Sequence, residues 1–272
     1  GGISNPLTAI EQITYLIFMR RIDVLDKERI ANAELTGEEY KSLFNGVFPE
    51  PTEEERQKIA NGEEDKVFRI KKEQLRWSEF SHLKAEEMLD LINQFVFPFL
   101  KELNGKNSHF TKHMKNAVFI IPNPLLLLEA IKIIELIFKE IEKDALENGQ
   151  AFQDIQGDVY EMLLSEIASA GKNGQFRTPR HIIRMMVEMM NPSSSEMICD
   201  PACGTSGFLV AAGEYLKETK KEEIFFDKQK KDHYMNHMFH GYDMDRTMLR
   251  IGAMNMMTHG IDNPFIEYRD SL

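Results

Sequence analysis

The chain has 272 residues, enough for one large domain or two modest ones, and an apolar fraction of 42% allows a real core. Its net charge of -11 argues against a chain that binds duplex DNA alone, because such binders carry a basic face. Nucleic acid stays open if another subunit supplies the phosphate contacts. The two cysteines, Cys199 and Cys203, have no histidine cluster at metal spacing, so they read as buried or neighbouring thiols in a reducing, cytoplasmic compartment. No signal peptide is visible. The most apolar region, residues 118–137, is broken by Pro122 and Pro124 and carries Glu129, Lys132 and Glu135, which makes it a core helix rather than a membrane span. The chain starts without Met and stops directly after a predicted strand, so both ends read as cut.

Asn5-Pro6 opens the first predicted helix, with Asn as N-cap and Pro at the first helical position. Ile10, Ile13 and Ile17 recur at helical spacing, and the run closes on Arg20-Arg21, read as a solvated helix end rather than a phosphate contact. Residues 31–66 are polar and acidic, punctuated by Gly37, Gly46, Pro49, Pro51 and Gly62. They read as a loop with short helical pieces, including Thr52-Glu53-Glu54-Glu55, and their acidity disfavours DNA contact. Trp77, the only Trp, is assigned to core or partner packing rather than base stacking. A long helix over residues 84–103 should kink at Pro98. The next opens at Asn123-Pro124 and is apolar over a width that implies burial on more than one side. Residues 1–150 thus read as a mostly helical domain without catalytic features. His109 and His113 have the spacing of a metal-binding pair but no third ligand.

From Gln156 the pattern becomes the alternation of an α/β sheet. One helix covers about residues 157–170 and another residues 179–190. A strand at residues 197–200 is followed by a helix over 206–217, a polar insert at 217–232 and a strand at 238–243. A helix over 246–258, capped by Asp245, leads to a strand at 265–268. Residues 151–272 therefore read as the first half of a doubly wound sheet.

The segment Asp200-Pro201-Ala202-Cys203-Gly204-Thr205-Ser206-Gly207-Phe208 is a strand end, a tight turn and a helix start. Glycines let a ligand approach the backbone, and the helix N-terminus offers free N–H groups. An ordinary βα loop would share these features. Asp200, however, would repel a phosphate and suits a ligand with positive charge, such as S-adenosylmethionine with its ammonium and sulfonium. Asp243 ends the second strand and offers two acceptors to the two hydroxyls of a ribose. The helix-capping role is already filled by Asp245. Met244 could pack on an adenine face or in the core. Asp270, after the third strand, reads either as an acceptor for the cofactor's adenine amino group or as a turn aspartate. Before the helix that precedes the first strand come Gln175, Phe176, Arg177, Thr178, Pro179 and Arg180. Thr178 reads as N-cap with Pro179 at the first helical position, and this loop can close over the cofactor's amino-acid end. With Gly204, Thr205, Ser206 and Gly207 of the turn, these are the candidate cofactor-binding residues.

Three motifs in this order, Gly174-Gln175-Phe176-Arg177-Thr178-Pro179, Asp200 to Phe208, and Gly241-Tyr242-Asp243-Met244-Asp245, resemble those of the methylation subunit of type I restriction–modification systems, an N6-adenine DNA methyltransferase. Leu16-Ile17-Phe18-Met19-Arg20-Arg21 and Trp77-Ser78 carry a weaker resemblance to that family's N-terminal domain. The resemblance implies an α/β fold in which a helical N-terminal domain precedes the first half of a Rossmann-like methyltransferase domain. It also implies S-adenosylmethionine as cofactor, a specificity subunit that reads the DNA, and a restriction subunit that can join. The family's catalytic Asn-Pro-Pro-Phe/Tyr motif, which holds and stacks a flipped adenine, does not occur in this chain. Asn191-Pro192 and Asn263-Pro264-Phe265 are single Asn-Pro pairs, and the latter, lying before the third strand, reads as a turn. The stretch is therefore expected to bind cofactor without methylating by itself. Two rivals are a methyltransferase of the same fold with another substrate, and a non-enzymatic assembly module with a vestigial pocket.

Overall fold

The computed structural model describes residues 6–62, 67–105, 108–148 and 178–271. Helix α1 (Pro6–Thr36) is the spine of the helical half; Asn5 lies outside the described residues. It does not end at Arg20-Arg21 as expected. Both arginines point into the protein: Arg21 is buried and its Nε donates to the Thr258 carbonyl at 3.2 Å, while Arg20 meets Glu135 at 2.9 Å. Arg20 thus finds its charge partner on a distant helix, and Arg21 pairs with Glu28 of α1 at 3.5 Å besides reaching Thr258.

The acidic stretch after α1 is organised by a buried ion network. Asp26, fully buried on α1, accepts from Tyr40 Oη at 2.9 Å, Ser42 Oγ at 2.7 Å, the Leu43 amide at 2.8 Å and Arg76 Nη2 at 2.7 Å. Asp23 takes the other side of the same guanidinium at 2.8 Å. Burial raises the Asp23 carboxyl, yet bonds from Ser78 and Arg76 leave it below its ordinary value. Within the loop, strand β1 (Val47–Phe48) pairs antiparallel with β2 (Ile70–Lys71). Between them α2 (Glu53–Ala60) opens on a capping box of Thr52 and Glu55, at the helical piece expected there.

Helix α3 (Trp77–Phe80) buries Trp77 against Phe80 in an edge-to-face pair, the core role expected for it. The predicted kink takes a different form. Helix α4 (Ala85–Leu91) widens into a π-helical turn, Ile92–Val96, and resumes as α5 (Phe97–Lys101). The wider turn lies just before Pro98, whose ring and missing N–H disrupt the regular ladder. After α6 (His109–Met114), helix α7 (Pro124–Asn148) starts where Asn123 Oδ1 accepts the Leu125 amide at 2.8 Å.

The second half comprises α8 (Arg180–Met190), β3 (Ile198–Asp200), α9 (Gly207–Thr219), α10 (Lys221–Phe225), α11 (Lys228–Asn236), β4 (Phe239–Asp243), α12 (Arg246–Thr258) and β5 (Phe265–Tyr268). The helix expected at residues 157–170 lies outside the described residues. The sheet order is β3-β4-β5 and both pairings are parallel, with Asp200 opposite Gly241 and Asp243 opposite Tyr268. The polar insert is helical. Ile224 and Tyr234 are its buried anchors, Tyr234 Oη donates to the Gly213 carbonyl at 3.1 Å, and Asp227 caps α11. So few apolar residues among so many charges leave a weak periodic signal.

Helix α12 lies between the helical half and the sheet, with every residue from Ile251 to Thr258 buried. Arg250 pairs with Glu11 of α1 at 2.6 Å, and Arg29 of α1 with Asp262 beyond α12 at 2.6 Å. His113 Nε2 donates to the Ile266 carbonyl of β5 at 2.6 Å. One apolar core runs through both halves. Among the described residues no helix is long and apolar enough to cross a membrane.

Two stability measurements follow from these contacts. Replacing Arg76 with Met leaves Asp23 and Asp26 buried without their cation, and should lower the unfolding free energy by about 3–5 kcal/mol in urea titrations. His259, which caps the C-terminus of α12, is pushed down from 6.5 to about 3 by burial. The unfolded chain therefore takes up a proton that the native chain refuses. This contribution to stability is complete above pH 6.5 and is lost as pH falls towards 3, at about 1.4 kcal/mol per pH unit within that window. Urea midpoints measured from pH 7.5 down to pH 4.5 (roughly the upper part of that window) should fall less steeply for His259→Gln than for wild type.

Candidate functional site

The carboxyl ends of β3, β4 and β5 form one rim, the place where open α/β sheets bind ligands. At the end of β3, Asp200 Oδ1 accepts the Ala202 amide at 3.0 Å and starts the turn. The Cys203 amide then donates to the Tyr242 carbonyl at 2.9 Å, which draws the loop back over β4. Gly241 permits this approach: a Cβ there would stand 2.8 Å from Ile266 Cδ1 and 2.9 Å from Cys203 Sγ. Gly204 and Ser206 both take left-handed backbone angles, φ 50 and φ 65, and α9 begins at Gly207 with no side chain capping it. A glycine meets the first of these angles at little cost.

Asp243 ties the two loops together. Its Oδ2 accepts the Gly204 amide at 2.9 Å and its Oδ1 accepts the Asp245 amide at 2.8 Å. Each carboxylate oxygen keeps a second acceptor direction for a ligand. Asp245 caps α12 through the Thr247 and Met248 amides, the role expected of it. Past β5, the Arg269 amide donates to the Asp243 carbonyl at 3.1 Å and Ser271 Oγ to the Pro201 carbonyl at 2.5 Å. These bonds bring the exposed Asp270 to the same rim as Asp200 and Asp243.

The local electrostatics favour a cationic ligand group. Burial raises the Asp200 carboxyl, and the nearby Asp243 carboxylate raises it further. A cation placed between them would relieve that repulsion. The same two acids and its own burial push the Cys203 thiol up to about 12, burial being the largest cause, so Cys203 is an inert packing residue. Cys199 is exposed, and both thiols are free.

Three side chains at the rim escaped the sequence reading. Tyr268 is half-exposed with the Arg246 guanidinium 4.6 Å from its ring centroid, and Arg269 lies 4.9 Å from the Tyr242 ring. Their only sequence signal is position, at a strand end or the first turn after it. Met244 is 58% exposed, which settles its two readings against core packing.

Before β3 the structure departs from expectation. The residue with cap geometry is Pro179, not Thr178; its carbonyl accepts the Ile183 amide at 3.1 Å and no side chain caps α8. Pro179 is extended, at ψ 139, so the helix starts one residue later. Arg180 pairs with Glu214 at 3.3 Å and Arg184 with Glu218 at 2.7 Å, so α8 and α9 run side by side in the same direction. Gln175, Phe176 and Arg177 lie outside the described residues. Among the described residues no cluster of His, Cys, Asp or Glu could hold a metal. His113 is bonded to Ile266, and the His109 ring packs on Phe265 with centroids 4.3 Å apart.

A parallel sheet in this order, with a small-residue turn entering a helix and an acid at each strand end, is the opening half of a Rossmann-like methyltransferase fold, set here behind a helical domain. A family model described as N-6 DNA Methylase matches residues 151–272, and one described as HsdM N-terminal domain matches residues 2–134. The chain is 26% identical over 272 residues to the EcoEI type I methylase subunit of Escherichia coli, covering 97% of this chain and 47% of that protein. It is 33% identical over 188 residues to the StySJI methylase subunit of Salmonella typhimurium, covering 65% and 34%. A crystal structure of a type I modification subunit from Vibrio vulnificus superposes with a TM-score of 0.71 at 23% identity, covering all of this chain and 52% of that one. A structure from work on assembly of a type I system gives a TM-score of 0.60 at 22% identity, covering 98% and 47%. The chain belongs to the methylation subunits of type I restriction–modification systems, and it spans less than half the length of these curated relatives.

The thiols give a direct check on the loop. A thiol-disulfide reagent at neutral pH should modify Cys199 promptly in the native protein. Cys203 should react only once denaturant exposes it, and prompt labelling of both would show that the loop does not pack over β4.

Proposed function

We propose that the rim binds S-adenosylmethionine, and that the whole subunit transfers its methyl group to adenine N6 in DNA. The observation that supports this reading is the acidic pair at adjacent strand ends, Asp200 raised by burial and by Asp243, set around a turn whose backbone Asp243 holds. S-adenosylmethionine supplies the electrophilic methyl group. In this assignment Asp200 faces the ammonium of its amino-acid end, and the free acceptor directions of Asp243 take the two ribose hydroxyls. Asp270 accepts from the adenine amino group, with Met244 and Tyr268 beside the ring. The turn at Gly204, Thr205, Ser206 and Gly207 lets the ligand approach the backbone, and Gln175 to Arg180 are assigned to the cofactor's amino-acid end.

The same reading divides the chain near residue 150 into a helical domain, 1–150, and the cofactor part of the methyltransferase domain, 151–272. The chain contains no Asn-Pro-Pro, so residues that hold and orient a flipped adenine come from outside it, and the chain alone is expected to bind cofactor without turnover. A net charge of -11 fits recognition of DNA by a specificity subunit, with a restriction subunit joining the same complex in the cytoplasm.

Calorimetric titration of the chain with S-adenosylmethionine tests the reading. Saturable binding is expected, and Asp243→Ala should weaken it about tenfold or more, the effect of losing a hydrogen bond to a charged group. Absence of binding by folded wild-type chain and by the whole subunit alike would overturn the assignment.

A further inference from the structure

The turn between β3 and α9 rests on α12, and two residues of that helix meet it from below. A Cβ at Gly252 would lie 2.6 Å from Ser206 Oγ and 3.0 Å from the Gly204 carbonyl oxygen. One turn later Asn255, fully buried, donates from Nδ2 to the Thr205 carbonyl at 2.8 Å. Positions three apart share a helix face, so the gap at Gly252 and the donor at Asn255 form one seat. The peptide between Thr205 and Ser206 is thereby fixed at both ends, because its N–H donates to the Cys203 carbonyl at 2.6 Å. A trans peptide is rigid, so holding its carbonyl sets the plane from which the left-handed Ser206 and the first amides of α9 follow. Left-handed angles are unfavourable for a residue with a Cβ, and a turn containing one relaxes unless its surroundings hold it.

We infer that Asn255, seated beside Gly252, is a positioning residue for the cofactor turn. Asn255 touches no ligand; it fixes the backbone that does. Asp243 secures Gly204 from the rim and Asn255 secures Thr205 from the core, so adjacent residues of the turn are held from opposite sides. This inference rests on the cofactor reading above.

Amide hydrogen exchange and calorimetric titration with S-adenosylmethionine, on the same samples of this chain, test it. In Asn255→Leu, which keeps the bulk and removes the donor, exchange at residues 204–208 should accelerate about tenfold or more while amides of β4 keep their wild-type rates. Affinity for S-adenosylmethionine should fall by about the same factor. Asn255→Ser, a shorter donor, should lie between the two. A folded Asn255→Leu protein with wild-type exchange in the turn and wild-type affinity would overturn the inference. Should that variant not fold, Gly252→Ala decides by the same two measurements, since it displaces the turn and leaves the Asn255 amide in place. Accelerated exchange in the variant, together with no cofactor binding by wild type, would count against the cofactor reading and leave the seat standing.

Discussion

The burial of α12 is the constraint from which the rest of the molecule follows. Almost every residue of this helix is enclosed, with α1 and α6 on one side and the sheet on the other. A helix enclosed on most of its faces does not stand at a surface, so helical domain and sheet pack around it together. The polar contacts then set the geometry. Glu11 meets Arg250, the Thr258 carbonyl receives Arg21, and Arg29 reaches Asp262 beyond the helix end. The domain that carries no candidate chemistry thus fixes the orientation of a helix that underlies the candidate site.

Protein–protein hydrogen bonds hold the backbone of the site itself. Asp243 binds two backbone amides from two different loops, and the segment after β5 crosses back to Pro201. A ligand entering such a rim orders little protein, so less of its binding free energy goes into fixing loops. Burial raises the Asp200 carboxyl, and the Asp243 charge beside it raises it further. A preorganised backbone beside two mutually repelling carboxylates suits the proposed cofactor, which is cationic at one end and carries hydroxyls at the other.

Much of this was legible in the sequence, and the failures have physical causes. Asp200, Asp243, Asp245 and the glycine-bearing turn were legible because a strand end followed by small residues and a helix cap leaves a local signature. The cap on α12 and the span of β5 stand where they were expected. Arg20 and Arg21 were misread because their partners, Glu135 and Thr258, are more than a hundred residues away. Long-range satisfaction of charge leaves no trace in a short window. The insert before β4 escaped because its helices are held by isolated anchors, Ile224 and Tyr234, without an apolar stripe. Thr178 was a plausible cap by type, but Pro179 took the position because its own backbone is extended. The first partners of Asp243, two amides, could not be read at all, since any acid at that position would look the same.

The bond from His113 to Ile266 makes the two edges of the sheet unlike. An open strand edge is a template for further pairing, and α6 covers that of β5. Among the described residues no strand pairs with the outer edge of β3. That edge lies beside the strand that delivers Asp200. A strand paired there would stand as a wall of the acidic rim, so that edge and the candidate site share one border.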